Sequence, residues 1–196
     1  MTAAPDRPPT RIAVNGLDVR IESWTGLEFA ARVNEAMAIY ALAMSYSTYA
    51  GVQRGITARR HVDHRGFACR AAVRSDGVLV GFGYGYTTLP GQWWHDLVRK
   101  AIGPAVAGEW LGDAFELSEL HVLPHYQGYG IGNHLLTELA ADISHHAMLL
   151  STPDSDTRAF RLYRNLGFTD LARNYLFPGD ARPFAVLGAT LPLQHP

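Results

Sequence analysis

A glycine-rich segment stands where a strand should give way to a helix. QGYGIG occupies residues 127–132, after HVLPHY and before NHLLTELAADI. Glycine lacks the side chain that would keep a bulky ligand away from the backbone. The first N–H groups of a helix have no partner within it, and the helix dipole is positive at that end. The segment therefore predicts an anion site suited to a diphosphate, although a purely structural turn would use the same residues.

The elements that must position this segment follow a recognisable order. RIAV-NG-LDVRIESW and ACRAAV-RSDG-VLVGFGYGYTTL predict two hairpins, and LEFAARVNEAMAIYALAM and VQRGITARRHVDH between them are typical of helices. After these come a long insertion interrupted by Pro104, the strand FELSELHV, an amphipathic helix, the strand AMLLST, another helix and two closing strands. This order predicts one α+β domain over residues 11–196, which some schemes class as α/β. Its sheet should be mixed and mostly antiparallel, with about seven strands flanked by helices.

Three local expectations follow from this order. The strand-helix-strand unit from Phe115 to Thr152 should place its two strands parallel. Asp156 is the expected N-cap of the next helix, and Gly167 is its expected C′ residue. The Pro-rich segment 1–10 is expected to be a disordered tail.

Composition disfavours several classes of function. The chain has 196 residues, with 17 Lys and Arg against 18 Asp and Glu, so no strong field would attract nucleic acid or an anionic membrane. No basic-then-apolar leader and no apolar run of membrane-spanning length is present. The single cysteine, Cys69, cannot form an internal disulfide, which favours a cytoplasmic protein. The nine histidines lack the cysteine or third ligand of a zinc site, so no metal is expected.

Two segments together resemble a known family. V-L-P-H-Y-Q-G-Y-G-I-G closely resembles the acyl-CoA-binding motif of the GNAT superfamily of N-acetyltransferases, with Gln127, Gly130 and Gly132 in its defining positions. A-F-R-L-Y-R-N-L-G-F, at residues 159–168, resembles the later A-x-x-x-Y-x-x-x-G-F helix of the family. Two motifs in this order are more specific than one glycine turn, whose spacing fits neither a Rossmann site nor a P-loop. The resemblance is clear from Phe115 to Phe168 and implies the acyl-CoA N-acyltransferase fold.

The resemblance also implies acetyl-CoA as co-substrate. Backbone amides of the glycine turn would hold the pyrophosphate. The two parallel strands would splay, and pantetheine would lie between them against exposed backbone. Asp156 stands where many members have Asn, and a carboxylate only accepts hydrogen bonds, so this position departs from the family pattern. The implied cofactor-binding residues are Leu120, His121, Val122, Gln127, Gly128, Tyr129, Gly130, Ile131, Gly132, Asn133 and Asp156.

Acyl transfer from a thioester makes three chemical demands. The attacking amine must be neutral, the oxyanion needs a donor, and the leaving thiolate needs a proton. Tyr163 lies at the acid position of the family, and a phenol is protonated at neutral pH. The resemblance implies the backbone N–H of Val122 or Leu123 as the oxyanion donor.

The general base is left open among three side chains of FELSELHV. Strand alternation places Glu116 on one face and Glu119 with His121 on the other. Glu116 lies six residues before Val122, where some protein-acetylating members carry a catalytic Glu. Imidazole can accept a proton near neutral pH, so His121 would act through water. Glu116 and Glu119 are the preferred catalytic candidates, and a structural carboxylate at a sheet edge is the alternative for each.

An acceptor cleft is expected between the first two helices and the nearby loops. Tyr46, Tyr84 and Trp93 are the candidate acceptor-binding residues, since aromatic rings stack on flat molecules and hold cations. Ordinary packing is the alternative for all three. The WWHDL segment of the insertion is a candidate lid over the cleft.

These features favour an acetyl-CoA-dependent N-acetyltransferase that acts on a primary amine of a small molecule. A protein N-terminus or lysine is the alternative acceptor, and the bulky insertion argues against it. An acyl-CoA-binding module without turnover is a second alternative, against which Tyr163 and the two strand carboxylates argue. Dimers are common in the family, so a homodimer is also an expectation.

Overall fold

One eight-stranded sheet organises the computed structural model, which describes residues 10–14 and 16–194. The strands are β1 (Arg11–Val14), β2 (Leu17–Trp24), β3 (Ala68–Arg74), β4 (Leu79–Thr87), β5 (Ala114–Val122), β6 (Ala147–Pro153), β7 (Thr169–Leu176) and β8 (Pro183–Thr190). The helices are α1 (Gly26–Met44), α2 (Thr48–His61), α3 (Trp93–Trp110), α4 (Ile131–Asp142) and α5 (Arg158–Asn165), with a 3₁₀ turn at Pro124–Tyr126.

The sheet order is β1-β2-β3-β4-β5-β6-β8-β7. Only β5 and β6 pair in parallel, and every other neighbouring pair is antiparallel. The predicted α+β class, mixed sheet and parallel strand-helix-strand unit are therefore confirmed, with eight strands instead of about seven. Apart from Thr10, the expected disordered tail lies outside the described residues.

Helices cover both faces of the sheet. On one face, α1 packs Phe29, Val33 and Met37 against Phe82 and Tyr84 of β4. Also on this face, α3 packs against alternate residues of β6 and β8. On the other face, α4 and α5 pack against the intervening residues of the same strands. The central strands are thus buried between two helical layers, and a ligand can reach them where strands separate.

Local signals explain where the helices begin. Thr25 caps α1, and its side chain and that of Glu28 form a reciprocal capping box. The N-cap of α5 is Thr157, whose side chain accepts a hydrogen bond from Phe160 N–H, and not Asp156 as expected. The expected C′ residue of α5 is confirmed, because Gly167 follows the helix with a φ of 86°.

Candidate active site

A large cavity opens where the two parallel strands separate. β5 and β6 last pair at Glu116 and Leu149. Beyond that point, residues 117–122 and 150–153 diverge and line a cavity of about 1180 Å³. The cavity runs from the glycine turn to the ends of α1 and α2, the start of α3 and the loop between β7 and β8.

The glycine turn, residues 127–132, places bare backbone at the N-terminus of α4. Gly128 and Gly130 have φ values of 88° and 82°, which residues with side chains rarely adopt. Gly130 is the N-cap and makes no side-chain cap bond; His134 N–H donates to its carbonyl at 3.1 Å. The N–H groups of residues 131–133 therefore have no partner within the helix, and these residues line the cavity. An anion can be bound there without any change in the backbone.

Arg158 adds a positive charge beside this turn. It is the first residue of α5, it is exposed, and it lines the cavity. Its Nη1 lies 3.1 Å from the position that a Cβ on Gly128 would take. Among the described residues it forms no ion pair with a carboxylate. The sequence analysis missed Arg158 because nothing local in the sequence shows that α5 begins next to the glycine turn.

The other predicted cofactor residues differ in where they lie. Leu120, His121 and Val122 line the cavity along the splayed part of β5. Gln127 also lines it, but its side-chain amide donates to the Val122 carbonyl at 3.0 Å and so braces the turn against the strand. Tyr129 belongs to the turn through its backbone, while its side chain is exposed and does not line the cavity.

Asp156 does not reach the cavity in this structure. Its side chain is 80% exposed and pairs with Arg161 at 2.7 Å. The neighbouring Thr157 caps α5 and lines the cavity instead. The expected contact between Asp156 and a cofactor is therefore not supported, because the helix begins one residue later than the sequence suggested.

Tyr163 faces the cavity from within α5. It is 6% exposed, and its ring packs against that of Phe168 with centroids 5.6 Å apart. Burial, followed by the negative charge of Glu119, raises the pKa of the Tyr163 hydroxyl above its ordinary value of 10.0. The side chain is therefore a phenol at neutral pH and can donate a proton to a leaving thiolate.

A β-bulge brings the two carboxylates of β5 onto one face. Tyr84 pairs with Glu119, but the next residue, Gly85, pairs with Leu117, so Ser118 is an extra residue. Glu116 and Glu119 therefore stand opposite Tyr86 and Tyr84, which share one face of β4. The expectation that alternation separates the carboxylates is wrong, because strict alternation ends at the bulge.

A glycine in the neighbouring strand makes the bulge possible. A Cβ on Gly85 would lie 2.0 Å from the carbonyl oxygen of Glu116, so no other residue fits there. Glycine inside a strand is a known sign of a bulge or of close backbone approach. GFGYGY in β4 was thus the available signal, although it does not say which neighbouring strand is bulged.

Glu116 is a buried carboxyl group that faces the cavity. It is 4% exposed, and the Tyr86 hydroxyl donates to its Oε1 at 3.0 Å. Its Oε2 has no hydrogen-bond partner among the described residues. Burial raises the pKa of the Glu116 carboxyl to about 8, although the Tyr86 hydrogen bond and the charge of Arg54 act in the opposite direction.

Glu119 is buried to a similar degree but is held in the ionised state. Arg54 of α2 forms an ion pair with its Oε1, and His121 Nε2 lies 2.6 Å from its Oε2. Burial alone would raise the pKa of Glu119, but Arg54 and His121 outweigh it and lower the pKa to about 2. The two carboxylates of β5 therefore differ in charge at neutral pH, and such a split often marks distinct catalytic roles.

One of the two expected oxyanion donors is already engaged. The Leu123 N–H donates to the Val80 carbonyl at 2.8 Å. Val122, at the end of β5, lines the cavity just before the chain turns away at Pro124. Of the two expected donors, Val122 therefore stays a candidate and Leu123 does not.

Only some of the predicted acceptor residues line the cavity. Tyr46 and Trp93 line the cavity at its end away from the glycine turn. Tyr84 is fully buried beneath α1 and α2, and its hydroxyl lies 3.0 Å from His61 Nδ1. Tyr84 does not line the cavity, so its assignment to the acceptor site is corrected. Tyr40, His61 and His64 are cavity residues on this side that were not predicted for the acceptor site.

The insertion forms a packed wall of the cavity. Trp94, Val98 and Ile102 of α3 are buried in a cluster that includes residues of β6 and β8. The Trp94 indole N–H also donates to Ser151 Oγ of β6 at 3.0 Å. These contacts join the start of α3 to the sheet, so WWHDL is part of the cavity wall in this structure, and its expected role as a lid stays a prediction.

Within residues 10–14 and 16–194, no group of three or more His, Cys, Asp or Glu side chains is arranged to hold a metal ion. In the same part of the chain, no helix combines the length and apolar character that a membrane span requires.

Comparison with known proteins gives consistent family matches. Residues 69–170 match the family model described as acetyltransferase (GNAT) domain. The chain is 37% identical over 191 residues to the GCN5-like protein acetyltransferase Rv2170 of Mycobacterium tuberculosis, covering 83% of this chain and 93% of the relative. It is 30% identical over 131 residues to thialysine N-epsilon-acetyltransferase of Bos taurus, covering 55% of this chain and 75% of that protein.

A solved structure shows the same fold. The yncA protein of Salmonella typhimurium, determined with its cofactor acetyl-CoA, has a TM-score of 0.57 and 17% sequence identity to this chain. The match covers 91% of this chain and 96% of that one. At this level of identity the similarity concerns the fold alone.

Proposed function

Because the chain belongs to the GNAT superfamily of acetyltransferases, we propose that it moves an acetyl group from acetyl-CoA to a primary amine of a small molecule. One observation carries the proposal. The Glu116 carboxyl group faces the cavity with a pKa raised to about 8 and with one oxygen that has no partner among the described residues. A carboxyl with that pKa exchanges protons near neutral pH, which is what a base for an ammonium ion must do.

The residues at the glycine turn fit acetyl-CoA as the donor. The unpartnered N–H groups of residues 131–133 and the guanidinium of Arg158 would bind its pyrophosphate. Gly128 leaves room there, because a side chain would press on Arg158. The diverging stretch of β5, residues 117–122, would hold the pantetheine arm, so that the thioester lies between Glu116 and Tyr163.

The proposed chemistry uses Glu116 as the base and Tyr163 as the acid. Glu116, as its carboxylate, takes a proton from the acceptor ammonium ion, and the neutral amine then attacks the thioester carbonyl. The Val122 N–H stabilises the oxyanion. When the C–S bond breaks, the thiolate takes a proton from Tyr163, and the amide nitrogen returns its second proton to Tyr163 through solvent. The net products are an acetamide, free CoA thiol and one proton.

A contact across the acceptor end of the cavity supports a small acceptor. The guanidinium of Arg182 lies 5.0 Å from the ring centroid of Tyr46 and donates to its hydroxyl, so the β7–β8 loop meets the α1–α2 turn. Asp180 pairs with the same guanidinium at 2.6 Å. A folded protein surface would have to displace this contact before a lysine could pass it.

A protein amine is the second candidate acceptor. The relative at 37% identity is described as a protein acetyltransferase, whereas the 30% identical relative is named for a small amino acid. A lysine side chain is slender enough to enter a cavity that also admits a free amine. The two candidates differ in the size of the acceptor and agree on the chemistry at Glu116.

An acceptor screen separates these possibilities. Purified protein and acetyl-CoA are incubated with small primary amines, lysine peptides and peptides with free N-termini, and thiol release and product mass are measured. We expect kcat/KM for the best small amine to exceed that for the best peptide by about tenfold or more. A preference for peptides would favour the protein acceptor. Binding of acetyl-CoA without thiol release for any amine would favour a non-catalytic module.

The matched control is Glu116→Gln, which keeps the size and the Tyr86 acceptor of the side chain but removes its titration. In the wild type, kcat/KM should rise with pH through about 8, because the base is active when deprotonated. In the variant, kcat/KM should no longer rise near pH 8. It should keep only the rise at higher pH that comes from deprotonation of the free amine. Identical profiles for both proteins would remove Glu116 from the mechanism.

A further inference from the structure

Arg54 reaches from α2 to the bulge of β5. Its Nε forms an ion pair with Glu119 Oε1, and its Nη2 lies 3.5 Å from the hydroxyl of Ser118, the extra residue of the bulge. Its side chain is 32% exposed and lines the cavity. The contact therefore lies at the edge of the candidate active site and not inside the hydrophobic core.

Glu119 links this arginine to a ring in the cavity wall. His121 Nε2 lies 2.6 Å from Glu119 Oε2, the oxygen that Arg54 does not bind. The His121 ring also packs edge-on against Tyr40, with centroids 5.2 Å apart. One carboxylate is thus fixed at both oxygens, by a cation from α2 and by a histidine two residues along its own strand.

Arg54 is a cation that acts on several titratable side chains around Glu119. Its charge acts on Glu119 and Glu116 of β5 and on the tyrosines that face them from β4 and α1. Loss of that charge would leave His121 as the remaining partner of a buried Glu119 carboxylate. The groups around Glu119 are Arg54 and His61 from α2, Tyr40 from α1, Tyr84 and Tyr86 from β4, Glu116 and His121 from β5, and Tyr163 from α5.

We propose that Arg54 is a positioning residue of the acetyl transfer, which acts through Glu119 to hold a fixed negative charge and a fixed His121 ring beside the reacting amine. The inference rests on the proposed function, since it assigns a role within that reaction. Glu119 holds the His121 ring in one orientation in the cavity wall, and Glu116 removes the proton of the acceptor ammonium ion. Without Arg54, the pKa of Glu119 rises and its Oε1 loses its partner, so that His121 alone holds the carboxylate.

The test compares three variants of α2. Arg54→Gln removes the charge, Arg54→Lys keeps the charge but loses the two-pronged contact with Glu119 and Ser118, and Arg60→Gln alters an exposed arginine on the same helix. The carboxyl carbons of glutamate are labelled with ¹³C, and the titration of Glu119 is followed by NMR in each protein. The kinetic readouts are kcat and KM for the acceptor, and calorimetry gives the affinity for acetyl-CoA.

The expected results differ for each variant. In Arg54→Gln, the pKa of Glu119 rises by at least about one unit and kcat/KM at pH 7 falls by about tenfold or more. Arg54→Lys restores the titration of Glu119 but only part of kcat, because orientation is lost. Arg60→Gln matches the wild type, and all variants bind acetyl-CoA within about twofold of it.

Two outcomes would overturn the role of Arg54. One is an unshifted Glu119 titration in Arg54→Gln, and the other is full kcat/KM in that variant despite the shift. If Arg54→Gln does not fold, Arg54→Lys decides, because wild-type kcat with a lysine excludes the positioning role. Failure of the proposed function is distinguishable, since the wild type would then release no thiol whatever the NMR titrations show.

Discussion

The two glutamates of β5 show how far a residue's surroundings decide its chemistry. Glu116 and Glu119 are the same residue type, three positions apart, and both are buried. Glu116 meets a phenol and has its pKa raised to about 8, whereas Glu119 meets a guanidinium and has its pKa lowered to about 2. Both were predicted as candidates from the sequence, but the opposite shifts of their pKa values were not predictable from it. Arg54 lies 65 positions away from Glu119, and no local pattern links the two.

Burial of Glu116 should make the protein less stable as the pH rises. Its folded pKa lies above the ordinary value of 4.5, so between pH 4.5 and about 8 the folded state holds a proton that the unfolded state has released. Stability falls with rising pH through that window, on the order of 1 kcal/mol per pH unit. Glu116→Gln removes this dependence, so its advantage over the wild type in urea unfolding should grow from pH 5 to pH 8. Parallel pH dependences for the two proteins would contradict the buried, neutral carboxyl.

Tyr163 allows a separate test of proton supply to the leaving group. Tyr163→Phe keeps the ring that packs against Phe168 but removes the hydroxyl. We expect kcat to fall on the order of 100-fold, with the dissociation constant for acetyl-CoA nearly unchanged. Stopped-flow thiol release and calorimetry measure the two quantities. Tyr175→Phe, which removes a phenol that does not line the cavity, should have wild-type kcat, and a wild-type kcat in Tyr163→Phe would exclude the proton-donor role.

At the scale of elements, the sequence predicted what local patterns determine. Periodic apolar residues located α1 and α4, and turn residues located both hairpins, because these signals lie within each segment. The observed N-cap of α5, Thr157, lies one residue after the predicted one, Asp156. Both residue types are good N-caps, so the sequence alone does not choose between them. The identity of the bulged strand and the packing of α3 against the sheet were not predictable, because they depend on which strand lies beside Gly85 and on contacts with β6.

The glycine turn makes a prediction about acetyl-CoA affinity. Gly130→Ala adds a methyl group that meets only His134, at 3.9 Å, but forces alanine into a φ of 82°. That conformation costs about 1–2 kcal/mol, and the strain falls on the N–H groups of the first turn of α4. We expect acetyl-CoA binding, measured by calorimetry, to weaken by about tenfold or more.

A second glycine substitution controls for the loss of glycine as such. Gly108 lies exposed in α3 with no atom near its added Cβ, so Gly108→Ala should stabilise the protein by about 0.5–1 kcal/mol and leave binding unchanged. If Gly130→Ala binds acetyl-CoA as tightly as Gly108→Ala does, the turn is structural and the phosphates are held elsewhere.

At the scale of the whole molecule, the cavity belongs to no single element. Its walls come from α1, α2, α3, β5, the glycine turn, β6, α5 and the β7–β8 loop. The sequence analysis named residues in most of these segments, yet their joint position follows from the sheet order, which places β5 beside β6 and the β7–β8 loop near α1. Arg158 and Arg54 were missed for this reason.

A cavity built from most of the chain should couple ligand binding to global unfolding. Acetyl-CoA at 100 times its dissociation constant should add about 2.7 kcal/mol to the free energy of unfolding, in one cooperative transition. Thermal unfolding is measured with acetyl-CoA, CoA and acetyl-pantetheine at equal concentration. The comparison gives the part of the ligand-induced stabilisation that comes from the phosphates. We expect both CoA forms to stabilise strongly and acetyl-pantetheine to stabilise little. Equal stabilisation by all three would contradict the assignment of the phosphates to the glycine turn.

The extra residue at Ser118 means that chain length, and not only side-chain chemistry, encodes this site. If one codon were lost there, Glu116 and Glu119 would stand two positions apart, and regular alternation would keep them opposite Tyr86 and Tyr84. If Ser118 were kept and the bulge lost, the strand before it would turn over, so that Leu117 faced the cavity and Glu116 entered the apolar layer beneath α4. A relative that is shorter by this one position would therefore keep its base, provided that its two carboxylates are two residues apart and not three.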